Sequence, residues 1–202
     1  MKRIVYAALL AVLSACCTTG MWTKEEKELI NGDSKSLPQV MRVLSVDDPA
    51  DSVILRAPCK DLPAEALRSP EYQTLASKML FTVTHPTQDG VGIAAPQVGI
   101  SRRIIAVQRF DKEGDPFEVY PNIRVIAQRG EREYGPEGCL SVPGRRGNVL
   151  RWRDIDIKYT SLKTLQDTVE TVTGFTSVIF QHECDHLEGI LYTDYADTVM
   201  QE

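Results

Sequence analysis

The stretch His182-Glu183-Cys184-Asp185-His186 decides how the rest of the chain is interpreted. Two histidines four residues apart lie on one face of a helix, one turn from each other. This spacing lets both imidazoles reach a single metal ion, with Glu183 beside them as a general base for water. The alternative is a core helix with two incidental histidines, but two of the three histidines of the chain fall here around a glutamate. The stretch therefore predicts a helical metal site.

The residues on both sides of this stretch favour a helix. Thr176 and Ser177 can cap its start, 178–180 are apolar, and Gly189 suits its end. Two histidines leave the site incomplete, because catalytic metal sites usually take three protein ligands and keep one position open. A third ligand must therefore come from another part of the chain or from the helix itself.

The candidates for this third ligand are Cys139, Cys184 and several acidic residues. Cys184 is a poor candidate, because it lies two residues from both histidines and so on the opposite side of the helix. Cys139 lies in a glycine-containing segment that can approach the helix. The residues alone do not choose further.

Composition limits the class of protein. A chain of 202 residues that is 43% hydrophobic and 25% charged is long enough for one globular domain with a substantial core. The formal net charge of −5 argues against nucleic acid as a partner, because phosphate contacts need a basic surface. Five cysteines without regular spacing do not form a disulfide framework.

The first 20 residues have the pattern of a targeting segment. Lys2 and Arg3 are followed by the apolar run 4–13, which is too short to span a bilayer and has the length of a signal-peptide core. The following Leu13-Ser14-Ala15-Cys16 resembles a bacterial lipobox, in which the cysteine is lipidated. The alternative is a hydrophobic helix packed on the domain. We interpret residues 1–20 as a lipoprotein-like signal.

The rest of the chain divides into a tether and one domain. Residues 21–39 are polar and are interpreted as a tether, in which Thr23 and Glu26 form a capping box for a short helix that ends near Gly32. Residues 40–202 are interpreted as the catalytic domain.

Hydrophobic periodicity predicts the elements of that domain. Ser69-Pro70 begins a helix with an apolar stripe that ends before His85-Pro86. The segments 103–108 and 118–126 are predicted strands, with Pro121 at an edge or bulge. The segments 155–159 and 169–173 alternate and are predicted to pair antiparallel before the metal helix. This order predicts an α+β fold with antiparallel strands packed around that helix.

Three motifs resemble the signatures of the peptide deformylase family, in the family's order and at similar spacing. They are Gly90–Gly99, Glu137–Ser141, and Gln181–His186 with Leu187 and Gly189, and the resemblance covers about residues 40–195. It implies a metal-dependent amidase that removes the formyl group from N-formylmethionyl peptides and releases formate. The implied fold is a small α+β domain in which the metal helix packs against antiparallel strands.

The resemblance also implies roles for individual residues. Cys139, His182 and His186 would bind the metal, which is usually Fe²⁺ in this family, with Zn²⁺, Ni²⁺ or Co²⁺ able to replace it. Glu183 would be the general acid and base. Gln97 and the backbone N–H of Leu140 would hold the formyl oxygen, which becomes negative when the carbon turns tetrahedral.

The expected substrate contacts surround these residues. An apolar pocket for methionine is predicted from Val91, Val178 and Ile179, with Phe175 as a further candidate, and Gly92 is expected to contact the substrate. By resemblance, Glu137 pairs with an arginine near the site, for which Arg151 is the candidate, and Arg146 contacts the peptide backbone.

Two other functions, and the cellular location of the protein, stay open at this point. The chain could be a zinc endopeptidase, although no histidine follows His186, or a non-catalytic lipoprotein that binds formyl peptides or metal. The signal predicts a membrane-anchored bacterial lipoprotein outside the cytoplasm, attached through lipidated Cys16, and the alternative is a cytoplasmic enzyme. Ribosome docking is not expected, because the 16 residues after His186 do not provide the long basic helix that some family members use there.

Overall fold

The computed structural model describes residues 21–32 and 40–201, which form five helices and two antiparallel sheets. The helices are α1 (Lys24–Asn31), α2 (Pro49–Leu55), α3 (Ala64–Leu67), α4 (Pro70–Val83) and α5 (Gly174–Leu187). The strands are β1 (Gly92–Ala94), β2 (Ile104–Gln108), β3 (Phe117–Pro121), β4 (Arg124–Cys139), β5 (Val142–Thr160), β6 (Asp167–Thr173) and β7 (Val199–Gln201). Short 3₁₀ turns cover Ala95–Val98 and Tyr192–Asp194. The predicted α+β class is confirmed.

Helix α5 packs against both sheets. One sheet has the strand order β1-β2-β3; the other has the order β4-β5-β6, with β7 paired to the first part of β5. The strands β5 and β6 pair antiparallel, with Ile155 opposite Val172, which confirms the predicted pair before the metal helix. An apolar cluster that includes Phe180 and Leu187 fills the space between α5 and the two sheets.

The segment 118–126 was expected to be one strand, and this prediction is wrong. The structure ends β3 at Pro121 and begins β4 at Arg124, and the two strands belong to different sheets. Asn122 has a φ of +56°, in the left-handed region that asparagine tolerates better than most residues. Its side chain bonds the backbone of Leu62 through both N–H and C=O, at 2.7 and 2.9 Å, and so holds the bend.

Helix α4 forms as its sequence predicts. The Ser69 hydroxyl accepts a hydrogen bond from the N–H of Tyr72, and Pro70 occupies the first turn, where its missing N–H costs nothing. The stripe of Tyr72, Leu75, Met79 and Val83 is buried in a second apolar cluster, which also contains Ile93 of β1. Helix α4 therefore supports the strand that passes the site.

The start of α5 differs from the expectation. The helix begins at Gly174, which has a φ of +68°, so Thr176 and Ser177 lie inside its first turn and do not cap it. Both are buried, and the Ser177 hydroxyl donates to the carbonyl of Trp152 at 2.9 Å, which ties the helix to β5. At the other end, Gly189 has a φ of +74° directly after the capping residue, as its sequence predicts.

Residues 21–32 are packed on the domain, which corrects their interpretation as a tether. The capping box of Thr23 and Glu26 is present, but Trp22 and Ile30 are buried in the cluster around α4. The Trp22 indole donates to the Ser69 hydroxyl at 2.8 Å, and the buried Arg102 donates to Glu26 at 2.6 and 2.9 Å. The predicted signal, residues 1–20, and residues 33–39 lie outside the described residues. Among the described helices, none combines the length and hydrophobicity needed to cross a bilayer.

Candidate metal centre and cleft

Helix α5 brings three polar side chains of the stretch 182–186 together in one buried region. Glu183 and His186 are 4% and 1% exposed, and the side chain of His182 is 11% exposed. The two imidazole centroids are 5.1 Å apart, as expected for positions one helical turn apart. The helix geometry predicted from sequence is therefore present.

Cys139 meets these histidines from the second sheet. It is the last residue of β4, where the chain turns into β5, and its Sγ lies 3.2 Å from Nε2 of His186. The ligand atoms of Cys139, His182 and His186 lie within 4.8 Å of one another. One sulfur and two imidazole nitrogens at this separation suit a divalent transition metal such as zinc or iron.

Cys184, the other cysteine considered from sequence, lies elsewhere. Its side chain belongs to the apolar cluster between α5 and the sheets and is 7% exposed. Burial raises the pKa of its thiol, which disfavours the thiolate that a metal needs. The structure thus distinguishes the two cysteines that the residues alone left as alternatives for the third metal ligand.

A buried ion-pair network holds His182. Glu137 Oε2 lies 2.8 Å from Nδ1 of His182, and Arg151 donates to both oxygens of Glu137, at 2.7 and 3.0 Å. Arg151 also donates to Asp185 at 2.5 Å. Burial acts to raise the pKa of Glu137, but the hydrogen bonds from His182 and Arg151 outweigh it and lower this pKa to about 2. A carboxylate on the outer nitrogen of a histidine is the usual support of a metal ligand, so the site fits a metal.

Glu183 has the opposite environment. Its Oε2 is buried without a hydrogen-bond partner among the described residues. Burial raises the pKa of Glu183 to about 7, although the neighbouring His182 acts to lower it. A carboxyl group whose pKa lies near neutrality can both accept and donate a proton at physiological pH.

Gln97 approaches the cluster from the 3₁₀ turn after β1. Its Oε1 accepts from the N–H of Ala94 at 2.8 Å, which leaves the amide nitrogen directed at the opposite wall. That nitrogen lies 3.5 Å from the Sγ of Cys139 and 3.3 Å from the hydroxyl of Ser141. Ser141 is fully buried, and no role was predicted for it although it lies in one of the three motifs. Its contact with Gln97 depends on how two distant segments of the chain pack together, which local sequence does not reveal.

A cleft of about 500 Å³ opens over this cluster. It is lined by every predicted substrate contact: Val91, Gly92, Glu137, Arg146, Phe175, Val178 and Ile179, together with Leu140. Sequence reasoning missed the other wall residues, which include Gln88, Asp89 and Arg145. They precede or follow the motifs and carry no pattern of their own.

A second cavity of about 580 Å³ lies between α5 and the strands β4 and β5. Arg151 and Asp185 form part of its wall, but none of the three convergent ligand atoms belongs to it. Although it is slightly larger, the cleft over Cys139 contains the reactive groups and is the candidate site.

Comparison with known proteins gives a consistent result. The sequence profile of the family described as polypeptide deformylase matches residues 40–202. A peptide deformylase of Desulforudis audaxviator is 40% identical over 131 residues, which cover 65% of this chain and 81% of that protein. A peptide deformylase of a Roseiflexus species is 34% identical over 165 residues, which cover 76% and 86% of the two chains.

Solved structures agree with the sequence relatives. The crystal structure of a peptide deformylase from Thermotoga maritima superposes with a TM-score of 0.68 at 30% identity, covering 79% of this chain and 99% of that one. A class I type b peptide deformylase from Acinetobacter baumannii, with Met-Ala-Ser bound, superposes with a TM-score of 0.69 at 34% identity, again covering 79% and 99%.

Proposed function

The chain belongs to the polypeptide deformylase family, and we propose that its cleft beside α5 is the place of catalysis. It is a hydrolase that removes the N-formyl group from peptides, and it is a metalloenzyme. The observation that carries the assignment of the cleft is the convergence of three ligand atoms within 4.8 Å beside a buried glutamate. Membership of this family disfavours both a zinc endopeptidase and a non-catalytic lipoprotein.

We assign the metal to Cys139, His182 and His186, which supply one thiolate and two imidazoles. When bound there, a divalent metal acts as a Lewis acid and lowers the pKa of a water toward about 7. Fe²⁺ is the metal that we propose, from the resemblance to the family, with Zn²⁺, Ni²⁺ or Co²⁺ as replacements. The ligand types themselves suit iron and zinc equally.

The remaining residues of the cleft move protons and hold charge. Glu183 takes a proton from the attacking water and later delivers it to the amine that leaves when the C–N bond breaks. The amide nitrogen of Gln97 and the N–H of Leu140 donate to the formyl oxygen as it becomes negative. Glu137, held by Arg151, keeps the imidazole of His182 in one orientation.

The substrate that we propose is an N-formylmethionyl peptide. Val91, Val178 and Ile179 line the cleft and provide an apolar surface for the methionine side chain, and Phe175 lies at the same wall, half exposed. Met-Ala-Ser bound to the Acinetobacter baumannii enzyme supports a peptide ligand that begins with methionine. Formyl-Met peptides are expected to exceed formyl-Gly and formyl-Asp peptides in kcat/KM, and equal values would refute a methionine pocket.

Formate release from formyl-Met-Ala-Ser by protein purified without oxygen tests the function directly. Cys139→Ala is expected to lose stoichiometric metal and activity together, whereas Glu183→Ala keeps the metal and loses most turnover. Cys59→Ala is the matched control, because Cys59 packs at the apolar cluster and not at the convergent ligand atoms. Full metal content and rate in Cys139→Ala would contradict the ligand assignment.

We also propose that the enzyme is a lipoprotein anchored outside the cytoplasm through Cys16. The support is the order of positive charge, apolar run and Leu13-Ser14-Ala15-Cys16 in the sequence. Its substrates are then formyl peptides outside the ribosomal pathway. Metabolic palmitate labelling of the native chain and of Cys16→Ser decides it: labelling that depends on Cys16 supports export, and an unlabelled cytoplasmic protein overturns export without affecting the chemistry.

A further inference from the structure

Gly92 of β1 lies directly against the side chain of Glu183. A Cβ atom at residue 92 would lie 2.5 Å from Oε1 of Glu183 and 2.9 Å from its Cδ and Cγ. Favourable contacts between carbon atoms are about 3.5–4.0 Å long, so these distances are severe clashes. The carboxyl group of Glu183 therefore occupies the space that any other residue at position 92 would need.

Backbone conformation does not explain the glycine at this position. Gly92 pairs regularly with Val107 in the sheet, and it is not one of the glycines with a positive φ. Gly99, at the other end of the same motif, has a φ of +84° and does need glycine for its backbone. Glycine inside a strand is destabilising and often marks a close approach by another group. At Gly92 that group is Glu183.

The carboxyl group of Glu183 is held differently from that of Glu137. Glu137 is fixed by hydrogen bonds with Arg151 and His182, whereas Oε2 of Glu183 has no hydrogen-bond partner among the described residues. Because Glu183 is also 4% exposed, solvent contributes little to its orientation. Packing against β1 is what limits the positions that its carboxyl group can take.

We propose that Gly92 is a positioning residue for Glu183, acting through its missing side chain. The inference rests on the proposed function for its effect on turnover, but the steric coupling between the two residues can be measured without turnover. It is a role separate from the contact with substrate that the sequence suggested for Gly92, and the two roles predict different results.

Thermal unfolding of the full, metal-loaded chain provides the first test. Gly92→Ala is expected to lower the Tm by about 3–10 °C, because it forces Glu183 out of its place. In a Glu183→Ala background the same substitution has room, and the Tm is expected to stay unchanged or rise, since alanine restricts the unfolded chain more than glycine. An equal loss of Tm in both backgrounds would overturn the proposal.

Kinetics provide the second test. Gly92→Ala is expected to lower kcat for formyl-Met-Ala-Ser by about 10²-fold with metal content unchanged, because a misplacement of about 1 Å is enough for such a loss. In a Glu183→Ala background, which removes all three clashing atoms, the further loss of the residual kcat is expected to be less than about threefold. Gly135→Ala is the matched control, because that strand glycine has no heavy atom within 4 Å of the added Cβ.

The outcomes separate the possible roles. Independent, multiplying losses of kcat would contradict positioning, and a raised KM with unchanged kcat would assign Gly92 to substrate contact instead. If Gly92→Ala does not fold, recovery of folded protein in the double variant with Glu183→Ala supports the proposal, and failure of both to fold refutes it. If the unaltered chain releases no formate, the proposed function fails, and the Tm comparison still decides the steric coupling.

Discussion

Two buried arginines lie near helix α5, and they differ in what their carboxylate partners contact. Arg151 is 6% exposed and donates to Glu137 and Asp185, and Glu137 in turn holds His182 of the candidate metal centre. Arg109 is 1% exposed and lies 5.5 Å from the ring of Phe180. Its carboxylate partners are Asp111, Glu118 and Glu170.

The elements joined by the two arginines explain their different consequences. Arg109 follows β2, and its partners come from the next loop, from β3 and from β6, so it links the two sheets. Arg151 lies in β5 and links β4 to α5 through Glu137, which contacts His182, and through Asp185. The same pairing of guanidinium with carboxylates therefore stabilises the fold at one place and orients a ligand residue at the other. Four experiments test this distinction.

Removal of Arg109 is expected to have the largest effect. Arg109→Met leaves three carboxylates without their shared partner, and loss of one member of a buried ion pair costs about 3–5 kcal/mol. Because these carboxylates are 20% to 35% exposed and regain some solvent, we expect Arg109→Met to lower the free energy of unfolding by about 3 kcal/mol. Urea unfolding measures the loss, and the metal affinity of the folded variant should not change. A variant as stable as the unaltered chain would contradict the structural role.

Removal of Arg151 is expected to act on the metal. Arg151→Met frees Glu137 to move, so His182 loses its fixed orientation, and loss of such outer support weakens metal binding by about 10–100-fold. Competition with a chelator measures the metal Kd. Arg109→Met serves as the control for a buried arginine that is not connected to the ligand residues. If the two variants bound metal equally well, the distinction between the two clusters would be wrong.

Low pH is expected to weaken the ion pairs of Arg109 with its carboxylate partners, Asp111, Glu118 and Glu170. Hydrogen bonds from Arg109 hold the pKa of Asp111 below its ordinary value. Burial acts to raise the pKa of Glu118, but hydrogen bonds from Lys112 and Tyr120 and the positive charge of Arg109 lower it below its ordinary value. Lowered pKa values in the folded state stabilise it fully above the unfolded pKa, about 4, and this stability is lost as the pH falls through the folded values. The stability difference between the unaltered chain and Arg109→Met should therefore be constant from pH 7 to about 5 and shrink below about 4. A difference that grows with acid would contradict this cause.

An exposed arginine should show the smallest effect. Arg124 donates to both oxygens of Asp61 at 2.9 Å, but its side chain is 39% exposed and that of Asp61 is 50% exposed. Exposed ion pairs contribute about 0–1 kcal/mol, so Arg124→Met should lower the free energy of unfolding by no more than this. Added salt should reduce the difference further. A loss as large as that of Arg109→Met would show that burial does not separate these pairs.

Much of the fold and site could be predicted because it depends on neighbours along the chain. The spacing of His182 and His186 places both on one helix face in any α-helix, whatever packs around it. The cap at Ser69 and the stripe of α4, and the alternation of β5 and β6, are likewise local patterns. Side chains repeat every 3.6 residues in a helix and every 2 residues in a strand, and both repeats can be seen in the order of apolar and polar residues along the sequence.

Other features depended on contacts between distant segments. The residues alone left Cys139 and Cys184 open, and resemblance selected Cys139; the turn from β4 to β5 brings Cys139 to 3.2 Å from His186, while Cys184 enters the apolar cluster. The break at Asn122 and the burial of Trp22 were missed because their partners, Leu62 and Ser69, are 60 and 47 residues away. The sequence by itself determined which residues are candidates for the chemistry, and it left the third metal ligand open between two cysteines. Which of them meet was decided by the tertiary structure, because strand register and packing are set by the whole core and not by the period of one segment.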